Sequence, residues 1–368
     1  MHRYMQQWIW FFTVLIVGMG LVTLYSASHL NVRVSNKVFY DQLSCAILGF
    51  ITMFLLSRID YRKFFDGAYV IYGMCVVILI MVLATGRHAL GAQRWLEIGG
   101  LSFQPSEFAK LAIILALGKY FSEHTPSLSF HFWGTVRVLF HDLFLPLGIT
   151  VVPMLLIFKQ PDLGSAILIF GIFIIMLFAS GIRYRYFFGF LLACLAVMPF
   201  AWHILKPYQK DRLLVFLNPN IDPLGAGYTI IQSKIAIGSG QLFGKGWLAG
   251  TQNQLDFLPE RHTDFIFAVI GEEWGLVGTL FLLACYFGLI YCGLNIAEQV
   301  KDKFGTQVTI GVVGILTLQV VINMGMTLGL CPVVGITLPL VSYGRSSFII
   351  FVVMIGFLLN LSKKRTVF

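Results

Sequence analysis

The residues Leu258-Pro259-Glu260-Arg261-His262-Thr263-Asp264-Phe265-Ile266-Phe267 join two kinds of sequence. A polar, turn-rich stretch precedes them, and an apolar run at 265–293, long enough to cross a bilayer, follows. Asp264 falls at the junction, with an aromatic or aliphatic residue at each of the next three positions. An ionisable group at such a depth is costly unless it has a partner or a function. Aspartate also caps helices by accepting hydrogen bonds from first-turn N–H groups. Thr263 would cap equally well, so a cap does not require the carboxylate. Both readings, cap and catalytic or ligand-binding residue, stand on the sequence alone.

Working outward, apolar runs of similar length recur from end to end. The 368 residues are 58% hydrophobic and 12% charged, about half the roughly 25% charge of a soluble domain. Mean hydropathy is +0.82. The expected fold class is an all-α polytopic membrane protein, one unit over 1–368, with about ten transmembrane helices. The expected spans are 8–27, 43–57, 67–86, 107–121, 143–158, 164–181, 187–205, 265–293, 307–330 and 346–362. The fourth is the shortest and least hydrophobic. The first is too long for a cleavable signal core and reads as an anchor.

The net charge of +9 does not imply nucleic acid, because basic residues orient membrane proteins and meet lipid phosphates. One set of loops holds Arg3, Arg58, Arg62, Lys63, Lys119, Arg137, Arg183, Arg185, Lys301, Lys303, Lys363, Lys364 and Arg365. The opposite set holds Arg33, Lys37, Arg87, Arg94, Lys159 and Arg345. The positive-inside rule makes the first set cytoplasmic, with both termini inside. Segments 87–106 and 206–264 then face outward, the second as the long extracytoplasmic loop between spans seven and eight. Its apolar pieces, such as Ile230 to Ile237, predict short interfacial helices, with Trp247 at headgroup depth. The six cysteines lie in or beside apolar runs without a C-x-x-C pair, so packing is their expected role.

Four polar groups converge on the outer half. Arg94 lies near Gln104-Pro105-Ser106-Glu107, where Glu107 and Lys110, three apart on one helix face, are placed to pair. Asp162 in Lys159-Gln160-Pro161-Asp162 is either a cap or a ligand group. The long loop supplies Lys206, Lys210, Arg212, Lys234 and Lys245, which form a solvated face or grip a diphosphate. Gly335 to Ser347, including Ser342, is irregular backbone that a membrane tolerates only beside a cavity or protein core. Two motifs fail: Gly238-Ser239-Gly240 with Gly244-Lys245-Gly246 lacks phosphate-loop spacing, and His262 has no second histidine for zinc. His262 is expected to orient the segment or a substrate.

In this order, Tyr25-Ser26-Ala27-Ser28, Arg94-Trp95, Gln104 to Glu107, Gln160 to Gly164, Leu258 to Phe267 and Pro339 to Gly344 resemble the SEDS family (shape, elongation, division and sporulation proteins). The resemblance spans nearly the whole chain. Arg94-Trp95-Leu96, Phe103 to Glu107 and Arg261 place it nearer the elongation branch than the division branch. It implies a peptidoglycan glycosyltransferase in the bacterial inner membrane that polymerises lipid II at the outer face. It also implies a class B penicillin-binding protein as partner, within an elongation complex of membrane proteins, and puts the family's essential aspartate at Asp264. One departure is Arg345, where the family has a second glycine; it adds bulk and charge and resists positive φ.

On this reading Asp264 is the general base toward an acceptor hydroxyl. Arg94, Lys110, Arg212 and Lys245 are candidates to meet the leaving diphosphate. Glu107, Asp162, His262, Thr263 and Ser342 complete the candidate substrate contacts. A divalent cation, Mg²⁺ or Mn²⁺, is expected, with Glu107, Asp162 and Glu272 as oxygen ligands. The rival class is a flippase for lipid-linked precursors, which would place ionisable residues near the midplane rather than toward one face.

Overall fold

The computed structural model describes residues 2–29, 37–89, 92–98, 101–124, 138–223 and 225–363. Arg33, Arg137, Lys364 and Arg365 from the charge sorting lie outside the described residues. The long helices are α1 (His2–His29), α2 (Lys37–Leu56), α3 (Arg62–Thr85), α4 (Pro105–Glu123), α5 (Leu145–Lys159), α6 (Leu163–Ala179) and α7 (Tyr184–Ile204). After a stretch of shorter pieces, α8 (Pro207–Leu217), α9 (Ala226–Ser239) and α10 (Thr251–Gln254), come α11 (Ile266–Gln299), α12 (Lys303–Leu328) and α13 (Arg345–Leu361). Each of the ten expected spans overlaps one long helix. Tyr4–Ser28, Lys37–Leu56, Arg62–Ala84, Phe140–Lys159, Ile266–Gln299 and Lys303–Leu328 are long and apolar enough to cross a membrane. Leu163–Ala179, Tyr184–Phe200 and Arg345–Leu361 are shorter apolar helices.

The helical bundle also carries one small sheet. Arg87–Ala89 (β1), Ala92–Ile98 (β2) and Leu101–Phe103 (β3) form an antiparallel sheet in the order β1-β2-β3. Glycines at 86, 91, 99 and 100 punctuate this segment too often for a helix and favour short strands.

Helix α4 explains its own weak hydrophobicity. It is buried almost all round, with Ala109, Ile113, Ile114 and Leu117 fully enclosed, so protein rather than lipid is its solvent. Close approach to α12 is made by small residues: a Cβ on Gly118 would stand 2.9 Å from Val308, and one on Gly311 would stand 2.8 Å from Ile114. The outer helices invert the pattern. Leu48, Ile51 and Leu55 on α2, Val70, Met74 and Val77 on α3, and Phe188, Leu192 and Phe200 on α7 are exposed, as lipid contact requires.

Helix α11 is broken at Gly275, whose φ is 65°. The break frees backbone groups that must find partners inside a membrane protein. Residues 241–246 supply them. The N–H groups of Lys245 and Gly246 donate to the carbonyls of Glu272 and Glu273, each at 3.0 Å, while Leu276 and Val277 donate to Gln241 (2.9 Å) and Leu242 (3.1 Å). The glycines that resembled a phosphate loop thus allow a close backbone seam: a Cβ on Gly244 would meet the Glu273 carbonyl at 2.1 Å. The short helices anticipated at 206–264 are α8 to α10, and Trp247 stacks on Tyr25 at 5.8 Å beside the end of the first apolar run.

Gly240→Ala drives a methyl to 1.9 Å from the Gly271 carbonyl, whereas Gly238→Ala meets nothing within 4 Å. The first is expected to cost about 1–3 kcal/mol or more. The second should be neutral or stabilising, since alanine exceeds glycine in helix propensity by about 1 kcal/mol. Thermal melting of the two detergent-purified variants checks the contrast.

Candidate functional site

Five helix starts meet at one end of the bundle. Gln104, the N-cap of α4, donates its side-chain N–H to Asp162 Oδ2 (3.2 Å), the N-cap of α6, and its backbone N–H to Ser346 Oγ (3.0 Å) at the start of α13. Ser342, just before α13, donates its hydroxyl to the Thr263 carbonyl (2.5 Å), just before α11. The start of α2 joins them through Gln42. These are the second, fourth, sixth, eighth and tenth long helices, as an up-and-down bundle requires.

Asp264 sits at this junction, half-buried. Its backbone carbonyl accepts from Asn323 Nδ2 at 2.9 Å, and the same amide nitrogen donates to the Ile336 carbonyl at 2.7 Å. The cap reading fails: the N-cap of α11 is Phe265, with no side-chain cap hydrogen bond. Thr263 Oγ1 instead turns back to the carbonyl and carboxylate of Glu260, both at 3.1 Å. The Asp264 carboxylate accepts no hydrogen bond among the described residues, and its Oδ2 lies 3.4 Å from where a Cβ on Gly335 would stand. Loss of hydration pushes this carboxyl up to about 7; Glu260 adds to the rise, Arg212 and Arg94 oppose it, and Asp162 adds again. Burial pushes the neighbouring His262 imidazole down, favouring its neutral form. The His262 carbonyl accepts from Tyr343 N–H at 2.9 Å.

The cations divide into two groups. Arg212 on α8 is exposed and unpaired among the described residues. Arg94 on β2 is half-buried, with Nε donating to the Gln160 carbonyl at 3.2 Å and a terminal nitrogen to the Pro161 carbonyl. Both act on the Asp264 charge. Lys110 is fully buried, with Nζ 2.7 Å from Glu107 Oε1 and 3.2 Å from Gln319 Oε1. Lys245 pairs with Glu272 at 2.8 Å. Each ammonium is thus paired with a carboxylate, Lys110 wholly inside the protein and Lys245 from an exposed position.

Asp162 caps α6, accepting from Ser165 N (3.2 Å) and Oγ (2.9 Å) and from Ser106 Oγ (3.1 Å). Ser342 is buried, accepting from Leu338 N at 2.8 Å as it donates to Thr263. Among the described residues no three His, Cys, Asp or Glu side chains are grouped to hold a metal. Glu107, Asp162 and Glu272 each face protein donors in separate networks, so they do not make the expected ligand set.

Asn323 and Gln319 were missed. The signal was present: two amides four residues apart in an apolar helix share one face, and Gln319 Nε2 donates to the Thr337 carbonyl at 3.1 Å. Arg345 also proves benign, because it begins the right-handed helix α13 and needs no positive φ.

The helices and the charged junction define an integral membrane protein with a cluster of polar and charged residues at one end of its bundle. The chain belongs to the family of FtsW, RodA and SpoVE, described as "Cell cycle protein", whose model matches residues 6–367. It is 42% identical over 352 residues to peptidoglycan glycosyltransferase MrdB of Escherichia coli K12, covering 95% of this chain and 91% of that protein. It is similar to a solved chain described under "Structural coordination of polymerization and crosslinking by a peptidoglycan synthase complex", at 34% identity and TM-score 0.81 over 96% of both chains. Thermus thermophilus rod shape determining protein RodA matches at 31% identity and TM-score 0.70, over 96% of this chain and 95% of that one. These relatives agree with the elongation-branch reading.

Glu107→Lys or Lys110→Glu alone leaves like charges buried together, and breaking such a pair costs about 3–5 kcal/mol. The double swap restores complementarity, and is expected to recover folded yield and most activity. Size-exclusion profiles and activity of all three variants check this; a folded but inactive double swap would return Lys110 to the substrate site.

Proposed function

We propose that this chain is a peptidoglycan glycosyltransferase of cell elongation that polymerises lipid II at the outer face of the bacterial inner membrane. The observation that carries the reading is the Asp264 carboxylate: half-buried, raised by lost hydration and, among the described residues, without a hydrogen-bond donor, at the meeting of five helix starts. Asp264 takes the proton of the acceptor hydroxyl as its oxygen attacks the anomeric carbon of the donor sugar. The bond from that carbon to undecaprenyl diphosphate breaks, and the diphosphate leaves with the electron pair. An α-linked diphosphate becomes a β-glycosidic bond by single displacement.

Arg94 and Arg212 offset the charge that grows on the leaving group. Helix N-termini add a positive potential at the same end. A divalent cation, Mg²⁺ or Mn²⁺, would accompany the substrate's diphosphate and offset its charge. Contact with the polyprenyl tails is open to the exposed apolar faces of α2, α3 and α7. The partner is a class B penicillin-binding protein that crosslinks the product; the likeness to a chain of a peptidoglycan synthase complex supports this. The flippase reading is disfavoured by the gathering of Asp264, Arg94, Arg212 and Asp162 at one end rather than midway.

Purified wild-type protein with lipid II is expected to yield glycan strands, and Asp264→Asn none, with unchanged folding. A near-normal rate from the asparagine variant would remove the base role. In a cysteine-free background, Asn220→Cys should react with a membrane-impermeant thiol reagent added to intact cells, and Lys301→Cys should not. The reverse pattern would place Asp264 on the wrong side for this chemistry.

A further inference from the structure

The backbone beside Asp264 is held by residues 342–345, and that turn is gripped from its far side by α2. Gln42 is 2% exposed. Its amide donates to the Ser342 carbonyl and accepts from the Gly344 N–H, both at 3.4 Å. The preceding residue, Asp41, forms an ion pair with Arg345. The turn so bracketed contributes Tyr343 N–H to the His262 carbonyl and Ser342 Oγ to the Thr263 carbonyl. A continuous series of contacts therefore runs from α2 through 342–345 to 262–263, one residue from Asp264.

We propose that Asp41 and Gln42 are positioning residues for Asp264, and that Arg345 is this chain's own lock on their contact. The inference rests on the base role proposed for Asp264. Gln42 matches one carbonyl and one N–H of the turn as a neighbouring strand would, so it reads where the turn lies rather than which side chains it carries. The Asp41–Arg345 pair keeps 25% and 23% of its side-chain surface. A pair so exposed contributes little to global stability. What it can fix, beside the Gln42 and Ser342 contacts, is the place of the turn. Loss of the pair should therefore appear in the chemical step, where a displacement of about 1 Å can cost about 10²-fold.

The experiment compares Asp41→Asn, Arg345→Ala, Arg345→Lys and the swap Asp41→Arg with Arg345→Asp in the full chain. It reads kcat and KM for lipid II together with the melting midpoint. The two pair-breaking variants are expected to lose about tenfold or more in kcat, with KM and melting nearly unchanged. Arg345→Lys and the swap should recover most of the rate. Unchanged kcat in Arg345→Ala, a folded swap as slow as the single variants, or a rate loss that merely tracks lost folded protein would overturn the proposal. Inactive wild type or an active Asp264→Asn measured alongside would instead overturn the underlying base reading.

Discussion

The site depends on one buried amide. Asn323 Nδ2 donates to the carbonyls of Asp264 and Ile336, two points where the chain leaves regular helix inside a membrane protein. Irregular backbone there survives only if its polar groups are paired, and an unsatisfied buried carbonyl costs about 1–3 kcal/mol. One turn earlier on α12, Gln319 holds the Thr337 carbonyl and accepts from Lys110. The polar face of α12 is thus a rail along which residues 336–337 are laid. Tyr286 adds a hydrogen bond to the Pro339 carbonyl at 2.5 Å, on the stretch where Leu340 takes a positive φ of 66°, a conformation that needs such over-determination.

Against this fixed background, the available charges stand out by being unspent. Among the described residues, buried Lys110 is matched by Glu107, buried Glu272 by exposed Lys245, and Asp162 by four donors. Such pairs keep charges tolerable in a low-dielectric interior and have little left for a ligand. Among the described residues Asp264 and Arg212 have no protein partner of this kind, and Arg94 commits only part of its fork. Chemistry is best assigned to groups whose bonding capacity the fold leaves open.

Much of this was legible in the sequence. Apolar run length located the long helices because membrane solvation is set by length and composition. Asp264 was visible as a carboxylate without an evident partner at a lipid boundary. Pairing partners distant in sequence were not visible. No spacing rule connects Lys245 to Glu272, 27 residues away, and a helix face does not reveal that α4 is enclosed. Gly275 was read as continuous helix because its break is compensated by a loop some thirty residues earlier, a tertiary seam rather than a local signal. The sheet at 87–103 was short enough to pass as loop.

The most direct test concerns the protonation of Asp264. Its basic form exists only above its pKa. If burial holds that value at about 7, kcat/KM for lipid II polymerisation should rise about tenfold per pH unit below neutrality and level off above it. The titration of the free site should give a midpoint near 7. A rate that is flat from pH 5 to 9, or a rising arm at the ordinary carboxylate value of about 4, would contradict the account.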